Sequence, residues 1–162
     1  MRFPLLGFAE EGYEDMLRIS RRTDYAVRVL ISLAMHQDDG PRVVQEVVDE
    51  MLIPLPFVKR IVADLTHAGL IASRRGSKGG VWLAKAAEEI SLLDVVEACE
   101  EPVEISPCID DPDFCPLSED CPVRRRWARL RALIRNELGS VSIAQLARES
   151  QGAPQRVAAL LE

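Results

Sequence analysis

Three cysteines lie close together in one acidic, proline-containing segment of the chain. They are Cys108, Cys115 and Cys121, separated by six and five residues. Thiolates are soft ligands, so three of them together favour zinc or an iron–sulfur cluster over magnesium or calcium. Structural zinc sites favour a cysteine pair roughly two to four residues apart, which this segment lacks. Incidental thiols and a structural zinc site stay open as alternatives to an iron–sulfur cluster.

The other cysteine and the two histidines have ordinary structural explanations. Cys99 ends an apolar helix face that begins at Leu92, and we predict it to be a small core residue. His36 and His67 fall in a turn and at a helix end, where we expect solvated side chains rather than ligands.

The composition is that of a globular protein and argues against several function classes. The 162 residues are 48% hydrophobic but only 5% aromatic, which predicts an aliphatic core of packed helices. No apolar run approaches the ~20 residues that cross a bilayer, and the start lacks a signal-peptide pattern. We therefore expect a cytoplasmic protein without a membrane partner, where clustered thiols more often bind metal than form disulfides. No pattern indicates a catalytic nucleophile or a phosphate-binding loop, so an enzyme is not expected.

The net charge of −6 conceals an uneven distribution. Residues 17–85 contain 11 Lys and Arg against 7 Asp and Glu, a local charge of +4. Residues 88–120 contain 12 Asp and Glu and no Lys or Arg, a local charge of −12. Because phosphate contacts depend on local patches, the basic half is compatible with nucleic-acid binding.

Three helices are predicted in the basic half. Ser20 caps the first, which runs to about residue 37. After a turn rich in Asp, Gly and Pro, a short second helix covers residues 43–51. The third begins at about Pro56, which suits a first turn, and runs to residue 68, where Gly69 supplies a left-handed stop.

Two short strands at residues 70–74 and 81–83 follow, and the glycines between them permit a tight hairpin. Three helices and such a wing make a winged helix-turn-helix, a mostly α-helical fold. In that geometry the third helix enters the DNA major groove and the wing contacts phosphates or the minor groove. An ordinary solvated face is the alternative for the cations found there. The candidate DNA contacts are Lys59 and Arg60 on the helix and Arg74, Arg75 and Lys78 on the wing.

The C-terminal half contains the strongest helical pattern. Ser91 and Asp94 predict a capped helix through Cys99, after which the cysteine loop runs to residue 121. Residues 122–138 then form a helix, ended by Gly139, whose apolar stripe is typical of the seam between two dimerising helices. The stripe comprises Val123, Trp127, Leu130, Ile134 and Leu138.

These elements predict five segments. Residues 1–16 are expected to be an N-terminal arm, unless the start of the sequence is misplaced. Residues 17–88 form the winged helix-turn-helix domain. A connecting helix and the cysteine loop occupy residues 89–121. A dimerisation helix and a short helix occupy residues 122–149, and residues 150–162 form a flexible tail.

Several stretches resemble, in order, the Rrf-type (BadM/Rrf) winged-helix regulators. They are LRISRRTDYA at 17–26, IPLPFV at 53–58, AGLIASRRGSKGG at 68–80, ISLLDVVEA at 90–98 and the three-cysteine loop. Together they cover roughly residues 17–140. The resemblance implies a homodimeric transcription regulator, here a repressor, that binds a near-palindromic double-stranded DNA operator. It also implies an iron–sulfur cluster whose response to nitric oxide, redox state or iron supply controls DNA binding.

Two branches of this family differ in the ligand that completes the cluster. IscR-like members use a His three residues after the third cysteine in a 2Fe–2S site, but Arg124 stands there and cannot ligate iron. NsrR-like, nitric-oxide-sensing members use an Asp in the first turn of the first helix, given by the partner subunit to a 4Fe–4S cluster. The matching residue is Asp24, whose position the helix dipole alone would also explain. The resemblance favours 4Fe–4S, and the first cysteine gap, one residue longer than in the family, leaves 2Fe–2S open.

The resemblance also bears on DNA recognition and on the alternatives. The wing arginine that matches Arg75 enters the minor groove in the family, whereas Lys59 replaces an acidic residue of the recognition helix in IscR. The operator sequence of IscR therefore cannot be transferred to this protein. A zinc-stabilised or cluster-free regulator that responds to a metabolite is one alternative. A non-regulatory iron–sulfur redox protein is another, although such a protein has no use for a basic wing.

Overall fold

Six α-helices and a two-stranded sheet make up the part of the chain that the computed structural model describes, residues 19–76, 79–100 and 102–151. The helices are α1 (Arg21–Met35), α2 (Val44–Met51), α3 (Leu55–His67), α4 (Leu92–Cys99), α5 (Pro122–Ser140) and α6 (Ile143–Ser150). The strands are β1 (Ile71–Arg74) and β2 (Gly80–Leu83). The predicted arm at 1–16 and most of the predicted tail at 150–162 lie outside these residues. No helix within the described ranges is long and apolar enough to cross a membrane.

The first three helices confirm the predicted helix-turn-helix. The Ser20 hydroxyl accepts a hydrogen bond from the Thr23 amide at 3.3 Å and so caps α1. The buried stripe of α1, which includes Leu30 and Leu33, packs against the inner side of α3. Burying these aliphatic side chains removes apolar surface from water and holds α3 against α1.

The turn between α2 and α3 contains a leucine in an unusual conformation. Leu52 has φ 52° and ψ 48°, the left-handed region, and its side chain is 81% exposed. Its amide and that of Ile53 both donate to the Val48 carbonyl, which closes the C-terminal end of α2. A glycine is the ordinary residue at such a position because it lacks the Cβ that makes this backbone costly.

The wing is an antiparallel hairpin whose register pairs Ile71 with Leu83 and Arg74 with Gly80. Backbone hydrogen bonds of 2.9 Å in both directions between Arg42 and Val81 join the hairpin to the segment before α2. A Cβ on Gly80 would lie 2.5 Å from the Arg42 carbonyl oxygen, so this close approach requires glycine. The wing is therefore held to the body of the domain by backbone pairing.

The C-terminal elements return to the same core. The predicted capping box is present, since the Ser91 hydroxyl accepts from the Asp94 amide and the Asp94 carboxylate accepts from the Ser91 amide. Residues of α6, among them Ile143 and Ala144, belong to the core cluster with α1 and α4. The short helix after α5 thus packs onto the winged-helix part of the molecule.

The predicted end of α5 at Gly139 is wrong, because the helix continues through Gly139 to Ser140. Val141 then adopts an extended backbone, and its carbonyl accepts a 2.8 Å hydrogen bond from the Leu92 amide. The Ile143 amide donates in turn to the Ile90 carbonyl at 2.8 Å. Pairing with the start of α4, rather than a left-handed glycine, ends the helix.

Replacing Leu52 with glycine should stabilise the protein. The left-handed backbone penalty of the leucine exceeds the extra chain entropy that glycine loses on folding, for a net gain of about 0.5–1 kcal/mol in unfolding free energy. Urea denaturation of the parent and of Leu52→Gly measures this gain. Leu52→Ala is the matched control, because it removes the same exposed side chain but keeps the Cβ. Equal midpoints for the two variants would contradict the assignment of strain.

Candidate DNA-binding face and cysteine loop

The outer face of α3 carries the cations predicted to contact DNA. Ile61 and Leu65 are fully buried on the inner side, which leaves Lys59 and Arg60 on the exposed side. The Arg60 side chain is 70% exposed, and its Nε lies 2.9 Å from an oxygen of Asp64, one turn further along α3. Lys59 and Arg60 therefore share one face, and Arg60 is directed partly along its own helix.

The wing presents two further predicted cations. Arg74 ends β1 and Arg75 follows it in the turn, and both residues are exposed. A Cβ on Gly79 would lie 2.2 Å from the Arg74 carbonyl oxygen, so the tight turn beside these arginines requires glycine. Lys78, the third cation predicted on the wing, lies outside the described residues.

A polar cluster behind the wing was missed by the sequence analysis. The fully buried Ser32 donates a 2.6 Å hydrogen bond to Glu50, and the Arg42 guanidinium contacts both residues. His36, predicted to be a solvated turn residue, instead bonds Asp39 at 3.0 Å and Glu50 at 3.1 Å. Both hydrogen bonds raise the pKa of His36, and the bond to Asp39 has the larger effect. The signal in the sequence that could have predicted this cluster is Ser32, a polar residue within the apolar stripe of α1.

The cysteine loop is built from two short 3-10 turns, Pro107–Ile109 and Pro112–Phe114. Cys108, Cys115 and Cys121 are all half-buried free thiols, and Cys121 immediately precedes α5. The Cys108 sulfur lies 3.2 Å from the Ser106 hydroxyl. The loop therefore keeps its three thiols at the boundary between protein and solvent.

Ser118, between the second and third cysteines, has a polar atom without a partner. The residue is only 3% exposed, and its hydroxyl makes no hydrogen bond within the part of the chain that the structure describes. Buried hydroxyls normally have a partner, because leaving one unpaired costs about 1–3 kcal/mol. An orphaned hydroxyl beside half-buried thiols fits a loop that encloses a group additional to the polypeptide.

The three thiols do not converge within a single protomer. Among the described residues, no three His, Cys, Asp or Glu side chains form a group that could hold a metal ion. The donor set fits an iron–sulfur cluster in its chemistry, since it offers soft, half-buried ligands. The single chain does not gather these donors to one point.

Arginines on one face of α5 hold the cysteine loop and α4. The Arg124 guanidinium donates to the Cys108 carbonyl at 2.6 Å and to the Ile109 carbonyl at 3.2 Å. About two and three turns further along α5, Arg131 pairs with Asp110 and Arg135 pairs with Glu97. Arg124 thus stands at the position of a family ligand but fixes the backbone of the first cysteine.

A second face of α5 is apolar, and the described residues of the protomer leave it exposed. No α5 residue is buried. The exposed large apolar side chains of the helix are Val123, Trp127, Leu130 and Leu133. Leu133 was not included in the predicted stripe, and it widens the uncovered face.

A polar junction joins the start of the cysteine loop to both α1 and α3. Arg22 of α1 donates to the Cys99 carbonyl at the end of α4 and lies 3.2 Å from Asp64 of α3. Glu100, the next residue, accepts from the Ser20 amide at 3.0 Å and from the Thr23 hydroxyl. Burial acts to raise the pKa of Glu100, but these hydrogen bonds outweigh it and lower the pKa.

Cys99 is the core residue that the sequence predicted. It is 3% exposed and belongs to the core cluster, and burial raises the pKa of its thiol to about 11. A thiol held neutral in this way is a poor metal ligand, because the thiolate is the ligating form. Cys99 therefore stands apart from the three loop cysteines.

Asp24 lies in the first turn of α1 with its side chain 53% exposed. Its carboxylate is paired with Arg28, one turn along the helix, at 2.8 Å. The Arg28 guanidinium in turn lies over the Tyr25 ring, 5.5 Å from its centroid. Within the described part of the protomer, Asp24 joins no group of candidate metal ligands.

An exposed basic helix, a basic two-stranded wing and a long C-terminal helix define a winged-helix DNA-binding regulator. A family model described as "Rrf2: Iron-dependent Transcriptional regulator" matches residues 19–149. The chain belongs to the Rrf2 family, which confirms the resemblance found in the sequence.

Relatives and solved structures agree with this assignment. Protein rrf2 of Nitratidesulfovibrio vulgaris is 30% identical over 85% of this chain and 92% of that protein. The regulator IscR of Erwinia tasmaniensis is 29% identical over 80% of this chain and 78% of that protein. The structure of CymR, the global cysteine regulator of B. subtilis, superposes with a TM-score of 0.68 at 25% identity, covering 82% of this chain and 98% of CymR. The chain is accordingly a DNA-binding transcription regulator and not an enzyme.

The polar cluster behind the wing should make stability depend on acid. Burial acts to raise the pKa of Glu50, but hydrogen bonds from Ser32, Arg42 and His36 lower it from 4.5 to about 2. A lowered pKa means that the charged carboxylate stabilises the fold above pH 4.5 and that this contribution is lost as the pH falls towards 2. Glu50→Gln should therefore be less stable at neutral pH and show a flatter decline below pH 4.5 in urea denaturation.

Glu46→Gln is the matched control for this measurement. The Glu46 side chain is 60% exposed, and its Oε2 lies 4.0 Å from Nε of Arg42, the arginine that also contacts Glu50. Exposed pairs of this kind contribute little to stability, so the control should keep the parent's decline below pH 4.5. The same decline in Glu50→Gln as in the parent would refute the assignment.

Proposed function

We propose that this protein is a homodimeric repressor whose DNA binding is controlled by an iron–sulfur cluster, with 4Fe–4S favoured, on Cys108, Cys115 and Cys121. The observation that carries the proposal is the loop itself. It contains three half-buried thiols and, between the second and third of them in sequence, a buried hydroxyl without a partner, and Arg124 fastens it to α5. The family description as iron-dependent supports the same conclusion.

The fourth ligand in this proposal is Asp24 of the partner subunit. The side chain is half exposed at the start of α1 and so can be reached from a second molecule. Its present partner is an exposed arginine, and exposed ion pairs cost little to open, about 0–1 kcal/mol. A carboxylate is a hard ligand and therefore a weak one for iron beside thiolates, which makes this position the natural point of entry for a reactive small molecule.

The dimer is proposed to form through the uncovered face of α5. Four large apolar side chains stand exposed along one side of this helix, whereas its other side holds the cysteine loop by arginine contacts. A second copy of α5 would bury the apolar side without disturbing those contacts. A near-palindromic operator also requires two linked DNA-binding domains, one for each half-site.

DNA binding is proposed to use the outer face of α3 and the wing. Lys59 and Arg60 stand on the helix that would enter the major groove. Arg74 and Arg75 belong to the wing, and together with Lys78, which the sequence predicts there, they would contact phosphates or the minor groove. The Arg42–Val81 pairing holds the wing at a fixed place beside α2, so both groups of cations would meet one duplex together.

Control of DNA binding would run through the junction at the end of α4. Cys99 and Glu100 precede the cysteine loop and are bonded to α1, while Arg22 also contacts Asp64 on α3. A change in the loop that moves this end of α4 therefore acts on the recognition helix through two bonds of one arginine. Shifting occupancy from 99:1 to 1:99 requires about 5.5 kcal/mol of differential affinity. The bound group supplies a centre that responds to nitric oxide, redox state or iron supply.

A second candidate function is a regulator that binds no cluster and responds to a metabolite. Two observations favour it. The thiols do not converge within one protomer, and the fold is similar to that of a global cysteine regulator.

Protein purified without oxygen should be brown and contain iron and acid-labile sulfide. The expected reason is that three soft thiolates in one loop retain a cluster when oxygen is excluded. Elemental analysis with visible absorbance measures this, and Cys115→Ser should lose both iron and sulfide. Cys99→Ser is the matched control and should keep them, because that thiol lies in the core. Zinc at about one per chain without sulfide would exclude the cluster, and metal-free protein that still binds DNA would favour the metabolite-responsive regulator.

Asp24→Ala should leave the dimer intact but make the cluster more labile to nitric oxide, because one ligand is lost. The decay of visible absorbance after addition of nitric oxide measures this. Decay at the parent's rate would show that Asp24 is not a cluster ligand and that its charge only interacts favourably with the dipole of α1.

Leu130→Glu should convert the dimer to monomers and abolish operator binding, because a carboxylate would be buried in the α5 contact. Sedimentation velocity measures the first effect and fluorescence anisotropy with a selected operator the second. Asn136→Glu adds the same charge to an exposed residue of the same helix, off the apolar stripe, and should remain dimeric. A dimeric Leu130→Glu protein would place the interface elsewhere.

A further inference from the structure

Leu55 is a large, exposed apolar residue at the start of the recognition helix and lies outside the core cluster formed by the described residues. It is the first residue of α3, and its side chain is 63% exposed. Ile61 and Leu65, which hold α3 in the core, are fully buried on a different side of the helix. The core therefore does not account for a leucine here.

We infer that Leu55 reads thymine, by apolar contact with the C5-methyl group in the major groove of each operator half-site. The inference rests on the proposed DNA-binding function and deepens it. The N-terminal residues of a recognition helix are those that contact base edges. Among the groups that bases present in the major groove, the thymine methyl is the one that an aliphatic side chain recognises.

The start of α3 is poor in the donors that would recognise anything else. Pro54 and Pro56 have no N–H, and the Phe57 amide donates to the Pro54 carbonyl at 3.0 Å. The first turn therefore offers at most the amide of Leu55 itself. Phosphate oxygens and the acceptor atoms of guanine need donors, so this end of the helix is suited to an apolar contact.

The surroundings of Leu55 favour DNA over a protein partner. Lys59 lies four residues further along α3 and so stands next to Leu55 on the same exposed face. The helix has one acidic residue, Asp64, whose side chain is only 13% exposed and is neutralised by Arg22 and Arg60. The exposed face is thus an apolar tip followed by cations, which suits a methyl group flanked by phosphates.

The test replaces thymine by deoxyuridine, which removes the methyl group and leaves base pairing unchanged. Operators are first selected from random double-stranded DNA with the full-length dimer in its DNA-binding state. Each thymine of a half-site is then replaced in turn, and affinity is measured by fluorescence anisotropy. Loss of one buried methyl should weaken parent binding roughly fourfold, or about fifteenfold when both half-sites are changed.

Variants assign this loss to Leu55. Leu55→Ala should bind the thymine and uridine operators equally, and Leu55→Met, which keeps the apolar reach, should preserve the difference. Lys59→Ala should bind both more weakly with their ratio unchanged. Leu52→Ala, which shortens the exposed leucine in the preceding turn, should also keep the ratio.

Two results would overturn the inference while leaving the DNA-binding function intact. One is parent protein that binds a selected operator with no sensitivity to uridine at any position. The other is a uridine effect that survives in Leu55→Ala. If no operator can be selected by the dimer, the proposed function itself is wrong, and the inference is wrong with it.

Discussion

The contacts of Arg22 fix how three helices meet. The backbone carbonyls at the end of an α-helix lack partners within the helix, and the Cys99 carbonyl at the end of α4 receives its hydrogen bond from this guanidinium. The same side chain, 28% exposed, pairs with Asp64 on α3. Glu100 completes the junction by accepting from the start of α1. The recognition helix and the first residue of the cysteine loop are therefore positioned by one set of bonds, and neither can shift without straining it.

Segregation of charge explains how an acidic chain can present a basic face. The acidic segment at 88–120 is partly neutralised by α5, through the pairs Arg131–Asp110 and Arg135–Glu97. Asp64 is likewise paired with Arg22 and Arg60, so the carboxylate of the recognition helix does not cancel the positive charge of the nearby Lys59. Because potentials over a surface depend on local charge, the net charge of −6 does not oppose DNA binding there.

The sequence predicted what local physics determines and missed what distant residues determine. Caps at Ser20 and Ser91 and the glycine hairpin were predictable, because side-chain caps and turn chemistry act within a few residues. The end of α5 was not, because it depends on pairing between Val141 and Leu92. The contacts of Arg22 with Cys99 and of His36 with Glu50 were missed for the same reason, since these partners lie 77 and 14 residues away. The separation of the three thiols within the protomer likewise follows from no local rule.

The single protomer is incomplete in two respects that the same partner could satisfy. Its α5 exposes an apolar face, and among the described residues its three thiols converge neither with one another nor with a fourth candidate ligand. Arg124 connects these two features, because the residue belongs to α5 and its guanidinium donates to the Cys108 carbonyl. Pairing of two α5 helices would therefore act directly on the backbone that carries the first thiol. In the proposed regulator, forming the dimer and assembling the sensor are then one process, because the helix that links two DNA readers also positions the loop that controls them.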